Sequence, residues 1–169
     1  MSILSSLSKA IRTFVDDRNT PESFKVGEKF ENYVRKELFT DELYKLVERT
    51  HDYSTNSKDF VEASVKPDFK FYDKAAKREF HVEAKFRSGN LYQGKLEWCK
   101  PFQLRRYQEY NKQLPVFLIL GIGGRPDSPA ALSLIPLSEA KYAALFPKFV
   151  EQFNIPLNKA VSSKNLWNR

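Results

Sequence analysis

Cysteine and histidine are scarce in this chain, and their scarcity limits the chemistry that the sequence supports. The 169 residues include one cysteine, Cys99, and two histidines. A single cysteine excludes an internal disulfide and is typical of a reducing compartment, so we expect a cytoplasmic protein. Because no cysteine lies near either histidine in the sequence, a zinc site has no support. A nucleophilic Cys99 stays open, but a packed or surface thiol is the simpler interpretation.

Long apolar segments are also absent. The longest run, at 115–122 (PVFLILGI), is too short to cross a bilayer. The first ten residues lack a basic leader and a small-residue cleavage site, so we predict neither a signal peptide nor a membrane partner. Hydrophobic residues at 41% and aromatic residues at 14% instead indicate a folded globule. The length fits one domain, 1–169, with a core of its own.

Positive charge is concentrated in one part of the chain. The net charge is +7, but residues 1–65 have a balance of −2, residues 66–112 a balance of +6, and the remainder +3. A basic field of this kind is typical of proteins that bind a polyanion such as nucleic acid. The alternative is a basic surface that serves solubility and has no partner.

Two alternating runs predict a β-hairpin in this basic part. Apolar and polar residues alternate at 65–72 (VKPDFKFY) and again at 80–86 (FHVEAKF), which gives each strand one apolar and one polar face. The polar stretch 73–78 (DKAAKR) is a plausible connection between them. In such a hairpin the polar faces lie side by side, and Asp68 approaches Glu83.

The polar face of the hairpin has the side chains of a metal site. Asp68 and Glu83 would repel each other unless a cation lay between them, and carboxylate oxygens suit Mg²⁺ or Mn²⁺. Lys85 shares their face and could orient a water or stabilise charge on a phosphate. His81 shares it as well and could contact a substrate. The alternative is an amphipathic hairpin whose charged face is solvated, as in many antiparallel sheets.

Helical patterns precede the hairpin. We predict helices at 2–16 and at about 26–39, with 41–50 extending the second. Stepping about 100° per residue places Glu31 at the edge of the second helix's apolar stripe, where it could reach into a cleft. A surface carboxylate is the alternative for this residue. Gly27, one turn away, would let another element approach closely.

A helix is predicted after the hairpin, beyond a flexible-looking loop at 88–95 (SGNLYQGK) close to the candidate site. Pro101 opens it in the favoured first position. Arg105 and Arg106 project away from its packed face and could meet backbone phosphates, although a solvated pair is equally acceptable. The inward stripe contains a polar amide that needs a partner and consists of Gln103, Tyr107, Tyr110 and Leu114.

The last third of the chain predicts strands and one helix. The apolar runs 115–122 and 131–137 are typical of buried strands. Residues 121–125 (GIGGR) lack the spacing of a phosphate loop, so we predict a turn. We expect Ser138 to cap a helix that Pro147 breaks or kinks. The tail at 154–169 is polar and poorly patterned, with Trp167 as its candidate anchor.

Four motifs in order resemble those of the PD-(D/E)xK nuclease superfamily, including its QxxxY-bearing branch and its members similar to Holliday-junction resolvases. The resemblance covers roughly residues 24–146. It implies an α/β restriction-endonuclease-like core, with a mixed central β-sheet flanked by helices in αβββαβ order. The motifs are 27–31 (GEKFE, a G-x-x-F-E helix), Pro67-Asp68, Glu83-Ala84-Lys85 fifteen residues after Asp68, and 103–107 (QLRRY).

The resemblance also implies roles for these residues. Asp68, Glu83 and the main-chain carbonyl of Ala84 would bind Mg²⁺ or Mn²⁺, with Glu31 helping directly or through water. Lys85 would orient the attacking water or neutralise charge on the phosphate. Support of the site or contact with the nucleic-acid backbone would come from Gln103, Tyr107, His81, Arg87, Arg105 and Arg106.

The leading hypothesis is therefore a magnesium-dependent nuclease, expected to be a deoxyribonuclease of repair, recombination or defence. One alternative is a non-catalytic nucleic-acid-binding module on the same fold, and another is an interaction domain whose basic face docks an acidic protein. Because little of the chain is left for a sequence-reading domain, we expect structure-directed or end-directed cutting. DNA versus RNA, endonuclease versus exonuclease, and monomer versus homodimer all stay open.

Overall fold

The computed structural model describes residues 21–50 and 66–168, so the predicted helix at 2–16 lies outside the described residues. Within these ranges no helix has the length and apolar character needed to span a bilayer. The elements in chain order are α1 (Pro21–Tyr33), continued by a π-helical turn (Val34–Leu38), β1 (Tyr44–Arg49), β2 (Phe69–Asp73), β3 (Arg78–Arg87), β4 (Leu96–Glu97), α2 (Pro101–Gln113), β5 (Val116–Arg125), β6 (Ser128–Pro136), β7 (Ala144–Leu145), α3 (Pro147–Glu151), β8 (Asn154–Ile155) and α4 (Ser163–Trp167).

Six strands form a mixed central sheet in the order β1-β2-β3-β5-β6-β8. Only the β3–β5 pair is parallel, and helix α2 connects these two strands. Helix α1 packs on one face of the sheet through Phe30 and Tyr33, and α2 packs on the other through Leu104 and Tyr107. The predicted α/β architecture, a mixed sheet flanked by helices, is therefore confirmed.

Strand β5 is buried on both faces, as its near-continuous apolar sequence predicts. Phe117 and Ile119 belong to the core under α1, whereas Leu118 and Leu120 belong to the core under α2. Because side chains alternate along a strand, one run of apolar residues supplies both layers. The strand thus fixes the sheet between its two helical layers.

The predicted hairpin is also confirmed. Strands β2 and β3 are antiparallel, with Phe69 paired to Val82 and Asp73 paired to Arg78. The Asp73 carboxylate accepts the backbone N–H groups of Ala75 and Ala76, both at 2.9 Å, and so stabilises the turn. Continued by one residue, this register places Asp68 opposite Glu83. These are the two carboxylates that the sequence predicts to lie together.

The prediction of helix at 41–50 is wrong, because this segment forms β1. Its residues favour helix when taken singly, but Tyr44 is buried and Leu46 packs against the core beneath α1. The strand pairs along β2 as the edge of the sheet. Tertiary pairing therefore overrides local helix propensity here.

Two predictions after β5 are also wrong. The glycine-rich segment 121–125 continues β5, because Gly124 and Arg125 still pair with β6. Gly123 and Gly124 have positive φ angles, which glycine adopts without steric strain. No helix follows Ser138; the segment forms turns and then β7, which pairs with β4. Pro147 begins α3 at its first position instead of ending a helix.

Trp167 anchors the C-terminal tail, as predicted. Its Nε1–H donates to Asp73 Oδ2 at 2.8 Å, and its ring meets Phe80 and Phe117 edge-on. The tail is more ordered than its polar sequence indicates, since it contains β8 and α4. It therefore closes the core on the α1 side of the sheet.

The close approach between elements occurs at Gly121 and not at Gly27. Within residues 21–50 and 66–168 a Cβ at Gly27 would meet nothing within 4 Å, so the predicted close approach is not found among the described elements. A Cβ at Gly121 would lie 2.4 Å from Cε2 of the buried Phe30 ring. Glycine at position 121 therefore lets α1 pack closely on the sheet, next to the segment that carries Glu31.

We expect Gly121→Ala to lower the free energy of unfolding by about 1–3 kcal/mol, because the added methyl group overpacks the Phe30 contact. Gly27→Ala is the matched control, since it adds the same methyl group in open space inside a helix. It should raise the free energy of unfolding by about 0.5–1 kcal/mol. Chemical denaturation measures both, and two shifts of the same sign would contradict this account of the packing.

Candidate metal-binding site

The uncovered edge of β3 brings Asp68 to the strand that carries the other candidate residues. Strand β2 begins only at Phe69, so no strand of the described part of the chain pairs with the backbone of Ala84 on that side. The Asp68 carboxylate takes the partner's place, with Oδ2 accepting the Ala84 N–H at 2.7 Å. The Ala84 carbonyl faces the same edge, because the N–H and C=O of a strand residue point to the same side.

Glu83 is buried beside Asp68 on the α2 side of the sheet. Its Oε1 accepts the Tyr107 hydroxyl at 2.7 Å and lies 2.5 Å from Lys85 Nζ. Its Oε2 is buried and has no hydrogen-bond partner among the described residues. Buried polar atoms are nearly always paired, so this oxygen indicates that the site is built to receive a further group. A cation or a hydrogen-bond donor would satisfy it.

Burial and mutual charge shift the pKa values of the groups around the two carboxylates. Burial, together with the charges of Glu83 and Glu31, raises the pKa of Asp68 well above its usual value. Burial by itself would lower the pKa of Lys85, but Glu83 and Asp68 more than offset it, and the pKa is raised. The lysine therefore stays an ammonium ion at neutral pH. Burial and Glu83 also raise the pKa of Tyr107, which keeps its hydroxyl a donor.

Glu31 lies at the margin of the site, on α1. Its charge contributes to the raised pKa of Asp68, so the structure brings the two carboxylates into electrostatic contact. Glu31 Oε2 also accepts Arg49 Nη2 at 3.1 Å, and Arg49 Nη1 donates to Asn32 at the same distance. Arg49, at the end of β1, thus balances part of the negative charge that α1 brings to the site.

Gln103 and Arg87 are both engaged with the backbone. Gln103 Oε1 accepts the Lys100 N–H at 2.9 Å, which gives the polar member of the α2 stripe the partner that it requires and stabilises the start of the helix. Arg87 donates to the carbonyl oxygens of Glu97, Phe86 and Trp98. Both side chains thereby order the segment between β3 and α2. Contact of either residue with nucleic acid stays a prediction.

His81, Arg105 and Arg106 lie farther from the carboxylate pair. His81 is on the same face of β3 as Glu83, its ring meets Tyr110 edge-on, and its Nδ1 is buried and unpartnered. Burial lowers its pKa, so the imidazole is neutral at neutral pH. Arg105 and Arg106 are exposed on α2, on faces away from its buried residues.

A pocket of about 120 Å³ adjoins the site at the N-terminal end of the polar face of β3. It opens beside Pro67, the residue before Asp68, and its wall includes the imidazole of His81. The two lysines in its wall are both matched with glutamates, at 3.8 Å for Lys66 and 2.8 Å for Lys70. The lining residues are Glu48, Thr50, Lys66, Pro67, Lys70, His81 and Tyr110.

The donor set fits a hard divalent cation held partly by other ligands. Within residues 21–50 and 66–168, no three His, Cys, Asp and Glu side chains are clustered as a ready metal site. Two carboxylates, from Asp68 and Glu83, and the Ala84 carbonyl are nevertheless available on one edge. Mg²⁺ commonly binds one or two carboxylates and takes its remaining ligands from water and substrate phosphate. The residues present fit that mode of binding.

Sequence reasoning missed two residues that support the site. Arg49 was missed because its segment was predicted as helix; alternation at 44–46 (YKL) was the available signal, and it breaks at the β-bulge that follows. Trp98 is fully buried, and its ring stacks on Tyr107 with the ring centres 5.9 Å apart. It follows the loop at 88–95, and no periodic pattern marked it. Trp98 packs on the tyrosine that donates to Glu83, and Arg49 binds Glu31, whose charge acts on Asp68.

Comparison with known proteins does not assign the chain to a family. No protein-family model, curated protein or solved structure matched the chain. The function is therefore argued from the side chains of the site and from the motifs in which they occur.

Asp68→Asn is expected to raise the free energy of unfolding at neutral pH by roughly 0.5–2 kcal/mol when no divalent metal is present. The amide oxygen still accepts the Ala84 N–H, while the charge that Glu83 and Glu31 repel is removed. Asp127→Asn is the control, because Asp127 is exposed and its ion pair with Arg125 contributes little. Thermal and denaturant unfolding in chelator measure the difference.

The pH dependence of this effect follows from the raised pKa of Asp68. Below about pH 4 the carboxyl is protonated in both the folded and the unfolded state, so wild type and Asp68→Asn should differ little. As the pH rises, the unfolded state ionises first and the folded wild type loses stability relative to the variant. A difference that stayed constant from about pH 4 to pH 8 would contradict the buried-charge account.

Proposed function

We propose that the protein is a nuclease that uses Mg²⁺ or Mn²⁺ to hydrolyse phosphodiester bonds, with DNA as the expected substrate. The observation that carries the proposal is the unpartnered, buried Oε2 of Glu83 beside the buried carboxyl of Asp68. A folded protein that only binds has no need of two mutually repelling carboxyls in one buried place. Counting only the strands of the central sheet, which leaves out the two-residue β4, the chain order helix, three strands, helix, strand also fits the αβββαβ order of a restriction-endonuclease-like core.

Each residue of the site has a role in this proposal. Asp68, Glu83 and the Ala84 carbonyl would hold the divalent cation, with Glu31 assisting. When bound, such a cation stabilises negative charge on the phosphate and lowers the pKa of a water. Lys85 stays protonated, so it would stabilise charge or orient the water, and it would not act as a general base. The Tyr107 hydroxyl fixes the orientation of Glu83.

The charge distribution supports a polyanionic substrate. A basic segment with a balance of +6 surrounds a site whose own side chains are acidic. Exposed lysines and arginines would attract the nucleic-acid backbone over a distance of about 10 Å, whereas the buried acids act only on the phosphate that enters the site. The buried Cys99 further supports the proposal of a reducing, cytoplasmic location.

A non-catalytic nucleic-acid-binding module is the second candidate. One observation favours it: Lys85 Nζ lies 2.5 Å from Glu83 Oε1 and occupies one oxygen that a metal could use. In this alternative the ion pair is permanent, and Lys85 serves only to neutralise Glu83. A direct measurement of metal binding and of cleavage separates the two candidates.

The first test compares cleavage by wild type and by Lys85→Ala. Linear, nicked, branched and single-stranded DNA, together with single-stranded RNA, are incubated with stoichiometric enzyme and Mg²⁺. We expect at least one substrate to be cut, and Lys85→Ala to reduce the rate about 10²- to 10³-fold, as loss of a charge-stabilising group does. Lys159→Ala removes an exposed lysine outside the basic segment 66–112 and should leave the rate unchanged.

The second measurement is binding of Mn²⁺ by calorimetry and by its effect on the unfolding temperature. Asp68→Ala should abolish the binding, because it removes one of the two carboxylates that hold the cation. Metal binding without cleavage of any substrate, or equal cleavage by wild type and Lys85→Ala, would overturn the proposed nuclease. Nucleic-acid binding that is indifferent to metal would establish the binding module instead.

A further inference from the structure

Four aromatic side chains are exposed on the part of the chain that the structure describes, and all belong to two segments. They have between 42% and 72% of their surface accessible, whereas the other described aromatic residues are buried or half-buried. Large aromatic groups usually provide core or interface area, so four exposed rings on two segments indicate a binding surface. We call this surface the aromatic lobe; it consists of Tyr92, Phe102, Tyr142 and Phe146.

The two segments of the aromatic lobe are joined by strand pairing. One runs from β3 to α2 and contains β4, and the other runs from β6 to α3 and contains β7. Strands β4 and β7 are antiparallel, with Leu96 paired to Leu145. Lys95 Nζ lies 4.9 Å from the centre of the Phe146 ring, and Trp98 Nε1 donates to the Tyr142 carbonyl at 2.8 Å. Residues distant in sequence are therefore held in one structural unit.

The aromatic lobe is basic as well as aromatic. Residues 88–106 and 137–148 contain six lysines and arginines and only two acidic residues. Lys141 and Lys148 are exposed on either side of Phe146, and Arg105 and Arg106 are exposed beyond Phe102. Interleaved aromatic rings and cations are the composition of surfaces that stack unpaired bases and neutralise the phosphates between them.

The aromatic lobe is directly connected to the carboxylate site. The buried Trp98 lies between them, since its ring stacks on Tyr107 and its indole N–H holds the backbone at Tyr142. Tyr107 donates to Glu83. Arg87 fastens the same segment to β3 through the Glu97 and Trp98 carbonyls. A strand bound at the aromatic lobe therefore lies next to the element that positions the site.

We propose that the aromatic lobe binds single-stranded nucleic acid by stacking bases on its four rings. In this role it would supply the carboxylate site with an unpaired strand, a step that rests on the proposed nuclease function. Duplex ends would have to fray before they could occupy it, because stacked pairs hide the base faces that the rings require. An acidic peptide would match the charge of the surface, but it would not supply a flat base for each of the four rings.

Binding is measured by fluorescence anisotropy with the full chain in chelator, which prevents cleavage. The probes are a labelled oligothymidylate, an abasic oligonucleotide of equal length and charge, and a duplex of equal length. Each stacked base contributes about 1–3 kcal/mol, so the oligothymidylate should bind at least about 5- to 150-fold more tightly than the abasic strand. Equal affinity for these two strands would overturn the proposal, because charge alone would then explain binding.

Variants assign the binding to the aromatic lobe. Phe102→Leu and Phe146→Leu keep apolar volume but remove the ring, and each should weaken oligothymidylate binding by about 5- to 150-fold while leaving the abasic strand unaffected. Phe146→Trp should restore or strengthen binding. Leu43→Ala and Leu157→Ala remove similarly exposed apolar side chains outside the two segments and should have no effect. If Phe102→Leu and Phe146→Leu abolished self-association of the chain but left DNA binding unchanged, a second copy of the chain would be the occupant and the proposal would be overturned.

The result can be distinguished from failure of the nuclease assignment. If single-stranded DNA binds through the four rings but no metal-dependent cleavage occurs, the aromatic lobe is established and the nuclease is not. If cleavage depends on Lys85 but Phe102→Leu and Phe146→Leu bind and cut as wild type does, the nuclease proposal stands and the proposed binding role of the aromatic lobe is disproved. Neither experiment uses the readout of the other.

Discussion

The structure depends on holding two acidic side chains, Asp68 and Glu83, in one buried place without a solvent shell. Such an arrangement is unfavourable unless each carboxylate receives donors or positive charge. The Ala84 N–H, the Tyr107 hydroxyl and the Lys85 ammonium supply them. One oxygen still lacks a partner. The protein's own donors thus satisfy most of the carboxylate oxygens. The remaining oxygen, Oε2 of Glu83, is one that a cation would satisfy.

The two helical layers of the fold hold different groups of the site in position. On one side Phe30 packs against Gly121, which fixes α1 and with it the carboxylate of Glu31. On the other side Trp98 stacks on Tyr107, which fixes the hydroxyl that Glu83 accepts. The central sheet is therefore packed between α1 on one face and α2 on the other. Displacement of α2 would move the hydroxyl that Glu83 accepts, and displacement of α1 would move Glu31, whose charge raises the pKa of Asp68.

The sequence was informative where periodicity and local chemistry agree. Alternation predicted the β2–β3 hairpin, and proline at the first position predicted the start of α2. It failed where pairing with distant strands decides the outcome: β1 is built from good helix formers, and β7 is only two residues long and exists because β4 lies beside it. Arg49 and Trp98 reach the site through those contacts. Linear patterns do not encode which strands become neighbours.

In the proposed nuclease, charges that act over two different distances would explain why acids lie in a basic region. Exposed lysines and arginines act through solvent and are screened beyond about 10 Å, so they would concentrate a polyanion without fixing its register. The buried acids act at contact distance, where the low local polarity strengthens every interaction. Register would then have to come from groups that recognise bases or sugar. The uncharged rings of the proposed aromatic lobe, joined to Tyr107 through Trp98, would meet that requirement, because stacking is short-ranged and insensitive to screening.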